Sequence, residues 1–226
     1  MRLWFSTKGA KPMNSRSERL LLSGAAGAIE AVRDGVEAPR GVAIIAHPHP
    51  LFGGTMDNKV VQTLARAFVQ CGWTALRFNF RGVGASAGLH DAGRGELQDL
   101  LAVAEQVAPH SAGQRIALAG FSFGASVASH ALAALWPQGR VEHLVLVGLA
   151  ASRCAAAPLP PEAHLRTLVV HGEHDDTVPL SAVLDWARPQ VLPVTVIPAG
   201  GHFFHGQLPL LKSLVLRHLR SVAAPP

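Results

Sequence analysis

Gly120–Gly124 form the pentapeptide G-F-S-F-G, which has a glycine two residues before and two residues after a central serine. The apolar run Arg115–Ala119 precedes it and is typical of a buried strand, and the small residues of Ala125–Leu135 favour a helix after it. Between a strand and a helix, this pattern predicts a sharp turn that exposes the hydroxyl of Ser122 as a nucleophile. An ordinary turn is the alternative interpretation, because Gly and Ser are common in turns.

A serine hydroxyl is a weak nucleophile unless a base accepts its proton and a carboxylate orients that base. Two loops farther along the chain, each directly after a predicted strand, contain candidates for these two roles. The first holds Asp175 and Asp176, and the second holds His202 and His205. The order serine, acid, histidine is the one typical of a nucleophile elbow.

The elements around these loops predict an α/β protein. A hairpin is expected near the N-terminus, followed by strands that alternate with helical patterns, and this order favours a mostly parallel sheet with helices on both faces. Candidate residues in such a sheet are expected after the carboxyl ends of strands. The predicted strands are 19–22, 28–32, 41–46, 73–80, 115–119, 141–149, 167–171 and 194–197, and the predicted helices lie within 60–68, 96–107, 125–135, 180–187 and 208–219.

Composition excludes several classes of protein. The 226 residues fit one domain, which we place at residues 19–226 after an N-terminal extension at residues 1–18, within which Met13 is an alternative start. A net charge of +5 suggests nucleic acid, but the arginines are scattered and no basic run is present, so no nucleic-acid partner is expected. Two cysteines are too few for a disulfide framework, and no apolar stretch is long enough to span a bilayer, so a cytoplasmic location is expected.

Four segments together resemble the α/β-hydrolase superfamily, and within it the small, lidless bacterial serine hydrolases that carry an H-P-H-P loop. The resemblance implies an α/β-hydrolase fold with about seven or eight strands and no cap domain. It also implies a catalytic triad of Ser122, Asp175 and His202, because Asp175 matches the acid of a G-x-x-D-x-x-V-P pattern and a glycine precedes His202. The four segments are His47–Gly54, Arg77–Gly84, Gly120–Gly124 and His202–Gly206.

The same resemblance places an oxyanion hole beside Ser122. Its first donor is expected to be the backbone N–H of Phe123, the residue after the nucleophile. Its second donor is expected in the H-P-H-P loop, where the prolines have no N–H, which leaves His49 or Leu51. His47 is expected to make hydrogen bonds beneath the hole.

Aromatic side chains are predicted to line the substrate site. The candidates are Phe52, Phe203 and Phe204, whereas Phe121 is expected in the core. The connection Ala150–Arg166, where lids are often inserted in this fold, is too short for a cap domain. The site is therefore expected to be open and to favour small or flexible acyl groups.

These observations predict a serine hydrolase that cleaves carboxylic esters or thioesters through an acyl-enzyme, with no cofactor and no metal. A peptidase or amidase with the same triad, a non-catalytic binding module and a metal-binding histidine protein are the alternatives. The metal alternative rests on twelve histidines, several of them in closely spaced pairs, but no H-E-x-x-H motif is present. The expected partner is a small ester or thioester, and a homodimer is compatible with the sequence.

Overall fold

The structure is a computed structural model that describes residues 16–109 and 113–221. Within these residues an antiparallel hairpin is followed by alternating strands and helices, as the hydrophobic pattern predicts. In chain order the elements are β1 (Arg16–Gly24), β2 (Gly27–Gly35), β3 (Val42–Ala46), α1 (Lys59–Gln70), β4 (Thr74–Phe78), α2 (Arg94–Val107), β5 (Ile116–Phe121), α3 (Phe123–Leu135), β6 (Val141–Val147), β7 (Thr167–Gly172), α4 (Leu180–Ala187), β8 (Val194–Ile197) and α5 (Leu208–Ser221).

The strands form one eight-stranded sheet in the order β1-β2-β4-β3-β5-β6-β7-β8. The β1–β2 and β2–β4 pairs are antiparallel, and every later pair is parallel. Strand order therefore reverses around β3 and β5, which lie side by side in the middle of the sheet. Loops after these two central strands meet at one edge, where a crevice is expected in an open parallel sheet.

Two hydrophobic cores lie on opposite faces of the sheet. Successive side chains of a strand alternate between faces, and in β3 the side chain of Ile44 packs in one core while that of Ile45 packs in the other. Helices α2, α3 and α4 cover the first face, and α1 and α5 cover the second. Burial on both faces explains why the central strands are continuous apolar runs rather than alternating ones.

The fold class predicted from the sequence is confirmed by this architecture. The connection between β6 and β7 contains one short 3-10 helix, Pro161–Arg166, and no cap domain. None of the helices within residues 16–109 and 113–221 is both long and apolar enough to cross a bilayer. The predicted extension at residues 1–18 needs one correction, because residues 16–18 already belong to β1 and pair with β2. Residues 1–15, with the alternative start at Met13, lie outside the described residues.

Candidate active site

Ser122 lies at the turn between β5 and α3, and its backbone is strained. Its φ of 56° and ψ of −118° are outside the conformations that a residue with a side chain normally adopts. The strand and the helix approach each other closely on either side of it. A Cβ on Gly124 would lie 2.5 Å from the carbonyl oxygen of Ala46, and one on Gly120 would overlap the carbonyl of Gly124. Both flanking positions therefore need glycine for the turn to close.

Ser122, His202 and Asp175 form one hydrogen-bonded chain. His202 Nε2 lies 3.0 Å from Ser122 Oγ, and His202 Nδ1 lies 2.7 Å from Asp175 Oδ2. An ionised carboxylate only accepts hydrogen bonds. The Nδ1 of His202 therefore carries the ring proton and donates a hydrogen bond to Asp175. Nε2 is then the unprotonated nitrogen and accepts the hydrogen bond from the Ser122 hydroxyl.

The Asp175 carboxylate is held by several donors. Its Oδ1 accepts hydrogen bonds from the N–H groups of Thr177 at 3.0 Å and Val178 at 2.7 Å. Burial by itself would raise the pKa of Asp175, but the hydrogen bonds from His202 and Val178 prevail and lower it. The carboxylate thus stays ionised beside His202. Asp176, the other candidate acid, has a side chain that contacts the hydroxyl of Thr177 instead.

His171 is a buried neighbour of this carboxylate, and sequence reasoning considered it only in the metal alternative, as a pair with His174. Its Nε2 lies 2.9 Å from the carbonyl oxygen of Val178 and 3.4 Å from Asp175 Oδ2. A proton on Nε2 satisfies that carbonyl and faces the carboxylate as well. Burial lowers the pKa of His171, so the ring is neutral near pH 7. The clue in the sequence was only a histidine at the end of a predicted strand, four residues before the acid.

Backbone N–H groups beside Ser122 can serve as an oxyanion hole. Phe123 is the first residue of α3, where N–H groups have no partner within the helix and the positive end of the helix dipole lies. In the H-P-H-P loop, the N–H of Leu51 donates to His49 Nδ1 at 3.2 Å and that of Phe52 donates to the His49 carbonyl. This geometry favours the N–H of His49 over that of Leu51 as the second donor.

His47 lies beneath this loop with both ring nitrogens in contact with backbone groups. The N–H of Phe80 donates to its Nε2 at 3.0 Å, so the ring proton is on Nδ1, which lies 2.6 Å from the carbonyl oxygen of Pro48. Burial lowers the pKa of His47 to about 4, although the hydrogen bond to Pro48 acts in the opposite direction. The ring is therefore a neutral brace between the loop and the chain that follows β4.

A cavity of about 310 Å³ opens beside Ser122 and His202. Phe52 and Phe203 line it, as expected, and both are substantially exposed. The prediction for Phe204 is wrong, because its side chain is fully buried in the core on the side of α1 and α5. His205, the alternative to His202, is exposed and stacks on Phe203.

The end of β4 and the segment after it brace these loops through buried polar contacts. Asn79 accepts a hydrogen bond from the N–H of Met56 at 2.9 Å, and Arg77 donates to the carbonyl of the same residue at 2.9 Å. Arg81 forms a two-point ion pair with Asp99 of α2, at 2.8 and 3.0 Å. These residues support the site without lining it. Within residues 16–109 and 113–221, no group of three or more His, Cys, Asp and Glu side chains is arranged to hold a metal ion.

Comparison with known proteins identifies the class to which this fold and site belong. Residues 37–158 match the family model Hydrolase_4, described as serine aminopeptidase, S33. The chain belongs to the α/β-hydrolase superfamily and is a homologue of its lidless bacterial serine hydrolases.

Individual relatives make this assignment more specific. The chain is 37% identical to XC6422 from Xanthomonas campestris, an α/β serine hydrolase without a lid, with a TM-score of 0.81 and coverage of 96% of this chain and 100% of that one. It is also 37% identical to an α/β serine hydrolase homologue from Coxiella burnetii, with a TM-score of 0.75 and coverage of 93% and 100%. A curated relative, the uncharacterized protein RP471 of Rickettsia prowazekii, is 44% identical over 88 residues, and the match spans 38% of this chain and 37% of that protein.

Proposed function

We propose that this protein is a serine hydrolase that cleaves carboxylic esters or thioesters of small or flexible acyl groups. One observation carries the proposal: the hydroxyl of Ser122 is 3.0 Å from a histidine nitrogen whose opposite nitrogen is 2.7 Å from a buried carboxylate. This arrangement has the contacts that activate a serine for attack on a carbonyl. The strained backbone of Ser122 fits the same role, since strain of this kind concentrates at active sites.

In the proposed reaction, Ser122 Oγ attacks the substrate carbonyl while His202 Nε2 accepts its proton. Asp175 keeps the other ring nitrogen protonated and stabilises the imidazolium that forms. His202 then donates the proton to the departing alcohol or thiol, and an acyl-enzyme remains. A water molecule, deprotonated by His202, attacks the acyl-enzyme in the same way and releases the acid.

Negative charge on the carbonyl oxygen is stabilised in this mechanism by the N–H groups of Phe123 and His49. The first is supported by its position at the start of α3, and the second by the other contacts in its loop, which occupy the N–H groups of Leu51 and Phe52. Donors fixed in advance are effective because they need no reorganisation as charge develops.

The form of the cavity supports small or flexible substrates. At about 310 Å³ it is at the lower end of the size of ligand pockets. Phe52 and Phe203 give it apolar walls, and the short connection between β6 and β7 leaves its mouth uncovered.

Active-site labelling tests the proposal. Treatment with a fluorophosphonate should modify Ser122 stoichiometrically, as located by peptide mass spectrometry, and Ser122→Ala should abolish labelling. Ser213→Ala, at an exposed serine of α5, is the matched control and should label like the original protein. An unlabelled Ser122 in folded protein would overturn the mechanism.

A comparison of substrates tests the reaction class. The protein should turn over short p-nitrophenyl esters or acyl thioesters but not peptide p-nitroanilides. Faster turnover of the anilides would favour an amidase.

A further inference from the structure

A second cavity of about 480 Å³ adjoins the one beside Ser122. Four residues line both cavities, so the two spaces meet along a shared wall: His49, Phe123, Arg153 and Cys154. The second cavity continues between the beginning of α2 and the first turns of α3. A substrate whose carbonyl sits at Ser122 can therefore extend past the shared wall into this space.

The second cavity is lined by cationic and titratable basic groups and by no carboxylate. Arg94, Arg153 and three histidines line it, and among its lining residues none is Asp or Glu. Arg153 uses its Nε to donate to the carbonyl of Thr177 at 2.9 Å, and none of the carboxylates in the described part of the chain lies within ion-pair distance of its guanidinium. An arginine with free donors beside a cavity is well suited to a carboxylate ligand.

Two carboxylates lie behind this wall, and both are already engaged. Glu96 is fully buried, accepts hydrogen bonds from the N–H groups of Asp91 and Gly93, and lies 2.7 Å from Nδ1 of His90. Asp91 forms an exposed ion pair with Arg94 at 3.0 Å. Neither carboxylate contacts Arg153, so its charge is uncompensated at the junction of the two cavities.

The chemistry of the triad decides whether the acyl chain or the leaving group of the substrate enters the second cavity. The leaving oxygen or sulfur must be within reach of His202, which protonates it, and His202 lines only the smaller cavity. The leaving group therefore occupies the side of Phe203. The acyl chain then points in the opposite direction, past Phe123, into the larger and more basic cavity.

We propose that the second cavity is an acyl subsite for a carboxylate, so that the preferred substrates are esters or thioesters whose acyl chain ends in a carboxylate. This inference rests on the proposed hydrolase function. Arg153 binds the terminal carboxylate where the two cavities join, whereas Arg94 at the far wall is already paired with Asp91. The site would thus favour half-esters of dicarboxylic acids over neutral esters of equal length.

Matched substrates test this proposal. Monoethyl esters of succinic, glutaric, adipic and suberic acid should be compared with the corresponding ω-carboxamide ethyl esters, which are neutral and of nearly equal size. We expect kcat/KM to be at least about tenfold higher for the carboxylate at the best chain length, the scale of one charge-assisted hydrogen bond. The preference should shrink as NaCl is raised, because exposed charges are screened.

Variants assign the preference to Arg153. Arg153→Gln should lower the carboxylate-to-amide ratio of kcat/KM by about tenfold, whereas Arg153→Lys, which keeps the charge but not the planar fork, should retain part of it. Arg66→Gln, which removes an exposed arginine from α1, is the control for net charge and should leave the ratio unchanged. The ratio separates charge recognition from any effect of Arg153 on the loop of Thr177, because such an effect would slow both substrates together.

The possible outcomes are distinct. If no ester is hydrolysed and Ser122 is not labelled, both the proposed function and this inference are refuted. Hydrolysis of the neutral esters with equal rates for carboxylate and amide would overturn the acyl subsite alone. So would a preference for an isomer that carries the carboxylate on the alcohol, such as 3-(butanoyloxy)propanoate. A preference that survives in Arg153→Gln would also refute the assignment.

Discussion

His47 offers a sharp test of how the H-P-H-P loop positions the proposed oxyanion donor. In the trans peptide between Pro48 and His49, the C=O and the N–H point in opposite directions. His47 Nδ1 donates to that C=O at 2.6 Å, and His47 is buried and lines neither cavity, so the N–H of His49 points away from the His47 ring. If this contact fixes the peptide plane, its loss should misalign the donor without altering the triad.

Two substitutions separate the two contacts of the His47 ring. In His47→Asn the side-chain amide nitrogen can take the place of Nδ1 and still donate to Pro48, but the acceptor for Phe80 is lost. In His47→Gln the amide oxygen can take the place of Nε2 and accept from Phe80, but the donor to Pro48 is lost. Each variant leaves one buried backbone group without a partner, so each should lose about 1–3 kcal/mol of stability.

Their effects on catalysis should differ. Loss of one oxyanion donor lowers kcat by about 10²–10³-fold. Because a misaligned donor retains part of its effect, we expect His47→Gln to lower kcat by about 10- to 10³-fold. His47→Asn should lose much less. A short p-nitrophenyl ester would serve as the substrate, with urea unfolding measured in parallel, and kcat rather than KM should change because the donor acts on the transition state. Equal losses of kcat in both variants, or a normal kcat in His47→Gln, would refute the reasoning.

Two further predictions concern packing and pH. Phe204→Ala should lower the free energy of unfolding by about 3–5 kcal/mol, because it leaves a cavity in the core. Phe203→Ala should change the free energy of unfolding by about 1 kcal/mol or less and raise KM for apolar esters. Equal unfolding midpoints of the two variants in urea would contradict this contrast. Burial lowers the pKa of His47 to about 4 and that of His143 to about 3, so the unfolded chain binds more protons than the folded one below pH 6.5. Stability should therefore fall as pH drops from 6.5 towards 4, by about 3 kcal/mol for His47 alone, and urea titrations giving the same free energy at pH 7 and pH 5 would contradict this.

The sequence predicts the elements well where a periodic pattern is bounded by turn residues. The predicted bounds of α4 at Leu180–Ala187 and of β8 at Val194–Ile197 coincide with those in the structure, and a proline directly precedes each element, Pro179 before α4 and Pro193 before β8. The start of β1 was predicted too late. Arg16–Glu18 are polar, so they carry no apolar signal, and only their pairing with β2 makes them a strand.

A motif and the order of the chain led to Ser122, Asp175 and His202, and the structure brings these three side chains into one hydrogen-bonded chain, while their catalytic role stays a prediction. Phe204 was misplaced because two adjacent aromatic residues in a loop point in different directions, and composition cannot assign one to the cavity and the other to the core. The basic wall of the second cavity was not predicted either. His90 and Arg94 lie just before and at the start of α2, His130 in α3 and Arg153 in the connection after β6, and only the fold brings these three segments together.

The two prolines of the H-P-H-P loop have a physical consequence for the proposed mechanism. Pro48 has a fixed φ and lacks the N–H that a glycine at this position would offer to the oxyanion in competition. Pro50 removes a second N–H, and the ring of His49 occupies that of Leu51 at 3.2 Å. In the proposed mechanism the N–H of His49 is the directed donor of this turn, and the neutral His47 holds its peptide from the opposite side. A donor fixed in this way would stabilise developing charge without reorganisation.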